Sequence, residues 1–249
     1  MTRFNDQFND RNIENLTPDE ILSFLTKNSK GQKQSTKRLK FTLLKSFFNF
    51  CISATGLNFS NPCDAPVFKK PFRAAKGHSW TILEKDVVDE IIFKTEKPRN
   101  RLILELMARG GMRIGEVLKL RTMDVDERKL RVKNPKSGRE FEVVFIPQKV
   151  ADRLKLYLQT NDLDPEQRVF SLGYSGAREM VKNAGNSVGI KLRPHDLRRH
   201  AATYASRAGA PLEIVSKVIL RHANLSTTQR YLGKVSDIEA IRWIENIHG

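Results

Sequence analysis

The chain has 249 residues, with 44 Lys and Arg against 28 Asp and Glu, a formal net charge of +16 and an isoelectric point near 10.0. At 39% hydrophobic residues and a mean hydropathy of −0.46, it has the composition of a soluble globular protein of one or two domains, which excludes a disordered tail or a membrane bundle. It has no apolar run of about 18 residues, no signal-peptide core after Met1, and only Cys51 and Cys63, so a cytoplasmic protein without a disulfide framework or thiolate zinc site is expected.

In chain order, Thr17-Pro18-Asp19-Glu20 predicts a helix start: Thr17 as N-cap, Pro18 in the first turn, Glu20 closing a capping box. Ile21, Phe24 and Leu25 follow at helical spacing. A second helix is predicted from near Ser35, with Leu39, Leu43, Phe47 and Phe50 as its apolar stripe. Lys27, Lys30, Lys33, Lys37, Arg38, Lys40 and Lys45 lie along and between these helices, and no acidic residue interrupts Lys27 to Lys45. A basic run is either a solvated face or a phosphate-facing one; the missing acids favour the second. From Asn61 to Gly77 the periodicity breaks, and prolines with Lys69, Lys70, Arg73 and Lys76 read as an exposed basic linker.

Residues 1–77 carry 13 basic and 6 acidic residues, and residues 78–249 carry 31 and 22. Both parts are basic, which suits a small helical domain with its linker (1–77) and a larger domain (78–249) closing on one polyanion, nucleic acid foremost. The larger part restarts at Ser79-Trp80-Thr81-Ile82. Leu102, Ile103, Leu106 and Met107 give a helix that Gly110-Gly111 ends, and Ile114, Val117 and Leu118 give another. Leu130–Lys133 and Phe141–Phe145 alternate around the turn Asn134-Pro135-Lys136-Ser137-Gly138-Arg139, a β-hairpin signal. Beyond residue 149 the pattern is mostly helical.

Four pieces of the larger part carry chemistry: Arg113 with Glu116, the turn lysine Lys136, His195 with Arg198, and His222 followed by Tyr231. Each has a plainer reading alone. Arg113 could simply pair with Glu116, Lys136 could be solvated, His222 could cap a helix, and Tyr231 could pack in a core. His195 and His200 stand five apart, which misses the i, i+4 spacing of a helical metal pair, so no metal is expected. Asp124, Asp126 and Glu127 are more simply solvated than metal-binding. Together, the cations and the single hydroxyl form what a phosphodiester needs when no metal is used. Two arginines grip the non-bridging oxygens, a hydroxyl attacks in line, and a lysine or histidine protonates the leaving alkoxide.

The order Arg113, Lys136, His195-x-x-Arg198, His222, Tyr231 resembles the tyrosine recombinases, the phage-integrase and Xer-like site-specific recombinases. Gly111-Met112-Arg113-Ile114-Gly115-Glu116 resembles the family's first arginine box, and Pro194-His195-Asp196-Leu197-Arg198-Arg199-His200 its second. Leu220-Arg221-His222 through Tyr231 resembles its Leu-Gly-His to tyrosine stretch, with Arg221 where glycine is usual.

The resemblance implies a mainly α fold: an N-terminal helical (SAM-like) core-binding domain and an α+β catalytic domain with a small antiparallel sheet. It implies that Tyr231 attacks the scissile phosphate to form a 3′-phosphotyrosyl link, Arg113 and Arg198 hold the phosphate, and Lys136 protonates the leaving 5′-oxygen. His195 would assist proton transfer, His222 would hydrogen-bond a phosphate oxygen, and Glu116 would support the site. Double-stranded DNA is the implied partner, with a tetramer on synapsed sites formed from a protein that is a monomer in solution, nucleoid-associated, and needs no cofactor. Ile238, Ile241 and Ile244 or Ile247 would dock a C-terminal tail on a neighbouring protomer. Two readings remain beside recombination: DNA relaxation in the manner of a type IB topoisomerase, and a non-catalytic DNA-binding regulator. Lys133 remains the rival to Lys136.

Overall fold

The computed structural model describes residues 2–56, 59–74, 82–133, 140–232, 241 and 244–245, without the side chains of Thr55, Arg230 and Tyr231. Trp80, Lys76, Lys136, Ile238 and Ile247 lie outside the described residues. The chain forms two compact units, Met1–His78 and Ser79–Gly249.

The first unit contains α1 (Thr2–Phe8), α2 (Pro18–Asn28) and α3 (Gln34–Thr55). The expected capping box starts α2: Thr17 N donates to Glu20 Oε2 at 2.9 Å, and Glu20 N donates to Thr17 Oγ1 at 3.4 Å. Ile21, Phe24 and Leu25 are buried as their spacing required. On α3 the expected stripe is corrected. Leu39, Leu43 and Phe50 are exposed, and Leu44 and Phe48, one position over, enter the core. Both sets have helical spacing, so periodicity alone could not choose between them.

The linker reading also fails for residues 61–72. Cys63, Phe68 and Phe72 are buried, with Phe68 and Phe72 stacked on Phe41 at ring separations of 5.3 and 5.2 Å. Asn61 pins this return: its Nδ2 donates to Lys45 O (3.0 Å) and its Oδ1 accepts from Cys63 N (2.9 Å). Burying three such side chains outweighs the breaking effect of the prolines.

The second unit is built on α5 (Pro98–Ala108), whose Ile103, Leu104, Leu106 and Met107 have no exposed surface. Around it pack α4 (Lys85–Lys94), the short α6 (Ile114–Val117), α7 (Gln148–Thr160) and α9 (Pro194–Arg207), while α8 (Tyr174–Asn186) packs on α4 and α6. The predicted hairpin is present as β2 (Lys129–Lys133) antiparallel to β3 (Phe141–Phe145), and the unpredicted β1 (Val125–Asp126) adds a third strand on β2. Leu130, Val132, Glu142 and Val144 point inward; Lys129, Arg131 and Lys133 point outward. A π-helical turn (Ile214–Ile219) leads to α10 (Leu225–Leu232), which carries the backbone of Tyr231. Among the described residues no helix is long and apolar enough to cross a membrane. The observed architecture is therefore mainly α with one small antiparallel sheet.

Candidate active site

The Gly110-Gly111 break does more than end α5. Gly111 has φ +61°, and a Cβ there would lie 2.7 Å from Ile219 O. Only glycine lets the turn before Arg113 lie against the backbone that leads to His222. Arg198, on the first turns of α9, crosses this contact: Nη1 donates to Gly111 O and Nη2 to Leu220 O. It is 1% exposed, so the second arginine box is locked to the first and to the histidine turn.

Arg113 precedes α6 and is half-buried. Its Nη1 pairs with Glu116 Oε1 at 2.5 Å, and its backbone N donates to Glu116 Oε2 at 2.9 Å. The anticipated ion pair is therefore real, and the amide of the residue that caps this helix is already used. Burial alone would raise the Glu116 carboxyl, but the charges of Arg221 and Arg113 and the Arg113 hydrogen bonds hold it below the usual carboxylate range.

Arg113, Glu116, His195 and Arg198 line one cavity of about 640 Å³. Its wall also holds Lys119, Arg121, Arg131, Lys133, Arg168 and Asp124. Among the described residues, seven cationic side chains thus face two carboxylates, and both of these carboxylates are engaged. Glu116 is held by Arg113. Asp124 is 4% exposed, accepts from Arg121 N at 3.1 Å and pairs with Lys133 Nζ at 3.1 Å. The expectation of a solvated Asp124 is corrected: it caps a buried turn. Lys119, Arg121 and Arg168 carry no sequence signal, because they converge only through tertiary folding. Arg131 was findable as the outward residue of an alternating strand.

His195 sits at the cavity wall. Loss of water around its ring, then the charges of Arg198 and Arg199, push its pKa below the ordinary value, so it is neutral near pH 7. His222 is half-buried with its Nδ1 2.9 Å from Thr228 Oγ1, and Thr228 donates to Ser216 Oγ at 2.8 Å. Burial first, then Arg198, Arg113 and Arg221, lower its pKa to about 4. Thr228 is fully buried one helical turn before Tyr231, so the same side chain orients His222 and seats α10. His200 packs: its Nδ1 lies 2.8 Å from Leu83 O and its ring stacks on Tyr204.

In the first unit Lys27, Lys30, Lys33, Arg38, Lys69, Lys70 and Arg73 are exposed. Lys40 donates to Asn28 O at 2.6 Å, Lys45 pairs with Asp64, and Arg38 reaches Phe72 O at 3.4 Å. Lys37 is half-buried.

A family model described as the phage integrase family matches residues 81–236. The tyrosine recombinase XerA of Pyrococcus horikoshii is 31% identical over 249 residues, which span 94% of this chain and 83% of that protein. A tyrosine recombinase of Thermosipho africanus is 31% identical over 242 residues, 89% of this chain and 82% of that one. Among solved structures, XerA recombinase matches with a TM-score of 0.61 at 23% identity, covering 100% of this chain and 89% of that chain. XerH site-specific recombinase, bound to its palindromic difH substrate, matches at 0.70 and 20% identity, covering 98% and 76%. The Tn1549 transposon integrase in complex with a circular intermediate DNA matches at 0.72 and 14%, covering 98% and 91%. These three structures show the fold; the family follows from the sequence matches. The chain belongs to the phage integrase family of tyrosine recombinases, enzymes that cleave and rejoin DNA.

Proposed function

We propose that this protein cuts and rejoins duplex DNA at a specific site through a 3′-phosphotyrosyl intermediate on Tyr231. The carrying observation is the cationic cavity, in which Arg113, His195 and Arg198 meet and both carboxylates are engaged. A phosphodiester entering it gains charge neutralisation from arginines already oriented by Glu116 and by backbone carbonyls, so little reorganisation is left for the transition state. The Tyr231 hydroxyl attacks phosphorus and gives its proton to His195, which is neutral. The bond from phosphorus to the 5′-oxygen breaks, and Lys136 protonates that oxygen. His222, held at Nδ1 by Thr228 Oγ1, takes up a proton beside the incoming phosphate charge and then donates from Nε2 to a non-bridging oxygen. The phosphotyrosyl bond keeps the energy of the broken linkage, so rejoining needs no ATP.

Lys133 pairs with Asp124, which supports assigning the proton donor to Lys136. Residues 1–77 act as the core-binding domain: Lys27, Lys30, Lys33, Lys37, Arg38, Lys40 and Lys45, with Lys69, Lys70, Arg73 and Lys76, grip phosphates without reading bases. Residues 78–249 are the catalytic domain. Recombination runs in a tetramer on synapsed sites, with the tail bearing Ile241 and Ile244, both exposed, docked on a neighbouring protomer. The relatives matched over both units are recombinases, which favours this reading over relaxation or mere regulation.

A nicked suicide duplex carrying the target site tests it. A covalent protein–DNA adduct should form without metal or ATP, and Tyr231→Phe should lose it while binding persists. An adduct from Tyr231→Phe would overturn the assignment. A bridging 5′-sulfur, whose thiolate leaves without a proton, should restore cleavage by Lys136→Ala; rescue of Lys133→Ala alone would move the role to Lys133.

A further inference from the structure

Arg221 stands in the left-handed region at φ +50°, a conformation that favours glycine, yet its side chain is among the most buried charges in the unit. It does not line the cavity. It turns inward instead: Nη2 donates to Glu116 Oε2 at 2.7 Å, Nη1 to Ile219 O at 2.9 Å, and Nε lies 3.3 Å from Glu142 Oε2. Glu142 is itself buried, on the inward face of β3.

Glu116 therefore stands between two guanidiniums. Its Oε1 goes to the Arg113 guanidinium, and its Oε2 accepts from both Arg221 Nη2 and the Arg113 backbone N. We propose that Arg221 is a positioning residue for Arg113: together with the Arg113 backbone N it occupies the second oxygen of Glu116, which keeps that carboxylate from closing bidentately on the Arg113 guanidinium and leaves the Arg113 fork for the scissile phosphate. Charge balance points the same way. Arg113 and Arg221 offset Glu116 and Glu142. Without Arg221 one buried negative charge is left uncompensated beside a site that must bind an anion. The buried guanidinium accounts for the tolerance of a non-glycine residue at this turn.

The inference rests on the reading of Arg113 as a phosphate ligand. Its test is Arg221→Gly, which relieves the backbone conformation while removing the guanidinium. Adduct formation is measured in single turnover at saturating nicked duplex. The rate should fall on the order of 10²-fold, the scale of an ångström-sized misplacement, while the Kd for the duplex stays at the parental value. A scissile methylphosphonate lacks the charge that Arg113 neutralises, so on it the defect should shrink. Glu116→Gln added to Arg221→Gly should recover part of the rate, and Arg221→Lys should fall between parent and glycine variant. A parental rate for Arg221→Gly, or an equal loss on phosphate and methylphosphonate, overturns the inference. If the unaltered protein makes no Tyr231-dependent adduct, the functional reading itself fails, and that result is distinct from either.

Discussion

The two units carry similar excess charge and use it in opposite ways. In the first, Lys27, Lys30, Lys33, Lys69 and Lys70 are exposed, and the buried packing there is almost all aromatic and aliphatic, such as Phe4 against Phe24 at 5.4 Å. In the second, Arg198, Arg199 and Arg221 are buried, and Arg198 and Arg221 donate to backbone carbonyls or carboxylates from distant segments. An exposed lysine attracts any phosphate weakly and loses force with salt. A buried arginine offers direction, because its hydrogen bonds are set before the ligand arrives. Net charge alone does not tell the two units apart; the buried arginines of the second do.

The sharpest way to break this comparison is Arg198→Lys, which keeps the charge and removes the planar fork. Cleavage should fall by about 10²–10³, the scale for losing one preorganised donor, and the melting temperature should drop because Leu220 O loses the Arg198 bond and Gly111 O keeps only its weaker one from Arg221. A lysine variant that cleaves at the parental rate would mean that charge, not direction, is what the site needs.

A smaller effect is expected from Lys27→Gln, Lys30→Gln and Lys33→Gln together. The slope of log affinity against log salt should flatten by about 0.9 for each phosphate no longer neutralised, about 2.7 for all three. The cleavage rate of the saturated complex should not change. A lower rate at saturation would place these lysines in catalysis rather than grip.

Thr17→Ala should cost about 1 kcal/mol through loss of the α2 cap, read as a lower denaturation midpoint with the second unit's transition unmoved. A further expected effect is acid lability. His222 has a folded pKa of about 4 against an ordinary 6.5, so the unfolded chain binds the proton more readily. Stability from this group is therefore present above pH 6.5 and lost as pH falls towards 4. A denaturation series over that range should show a shallower pH dependence in His222→Gln.

Much of this is legible in sequence, and unevenly so. The α2 cap and the β2–β3 hairpin rest on local chemistry, so Thr17, Glu20 and the alternation at Leu130 and Val132 suffice. The Arg113 and Arg198 boxes are legible as an ordered set, although nothing local tells that Arg198 is locked to Gly111 O. Asp124 misleads because its burial depends on the sheet, and Leu39 and Leu43 because α3 presents two apolar faces. Cys63, Phe68 and Phe72 sit in a stretch whose prolines and lysines obscure them. Arg221 stands out as an oddity of the motif, but its partners do not. Glu116 lies 105 residues earlier and Glu142 on a strand of the sheet, and no local pattern reaches either.

The carbonyl of Gly111 accepts from Arg198 and, more weakly at 3.5 Å, from Arg221, so two segments far apart in the chain share one acceptor. This makes the length of the 109–113 turn a heritable constraint. One inserted residue would shift that oxygen by up to about 3.5 Å, beyond the reach of both guanidiniums at once, and no single later substitution could restore the two bonds. Lineages of this protein should therefore keep the residue count from Ala108 to Arg113 unchanged.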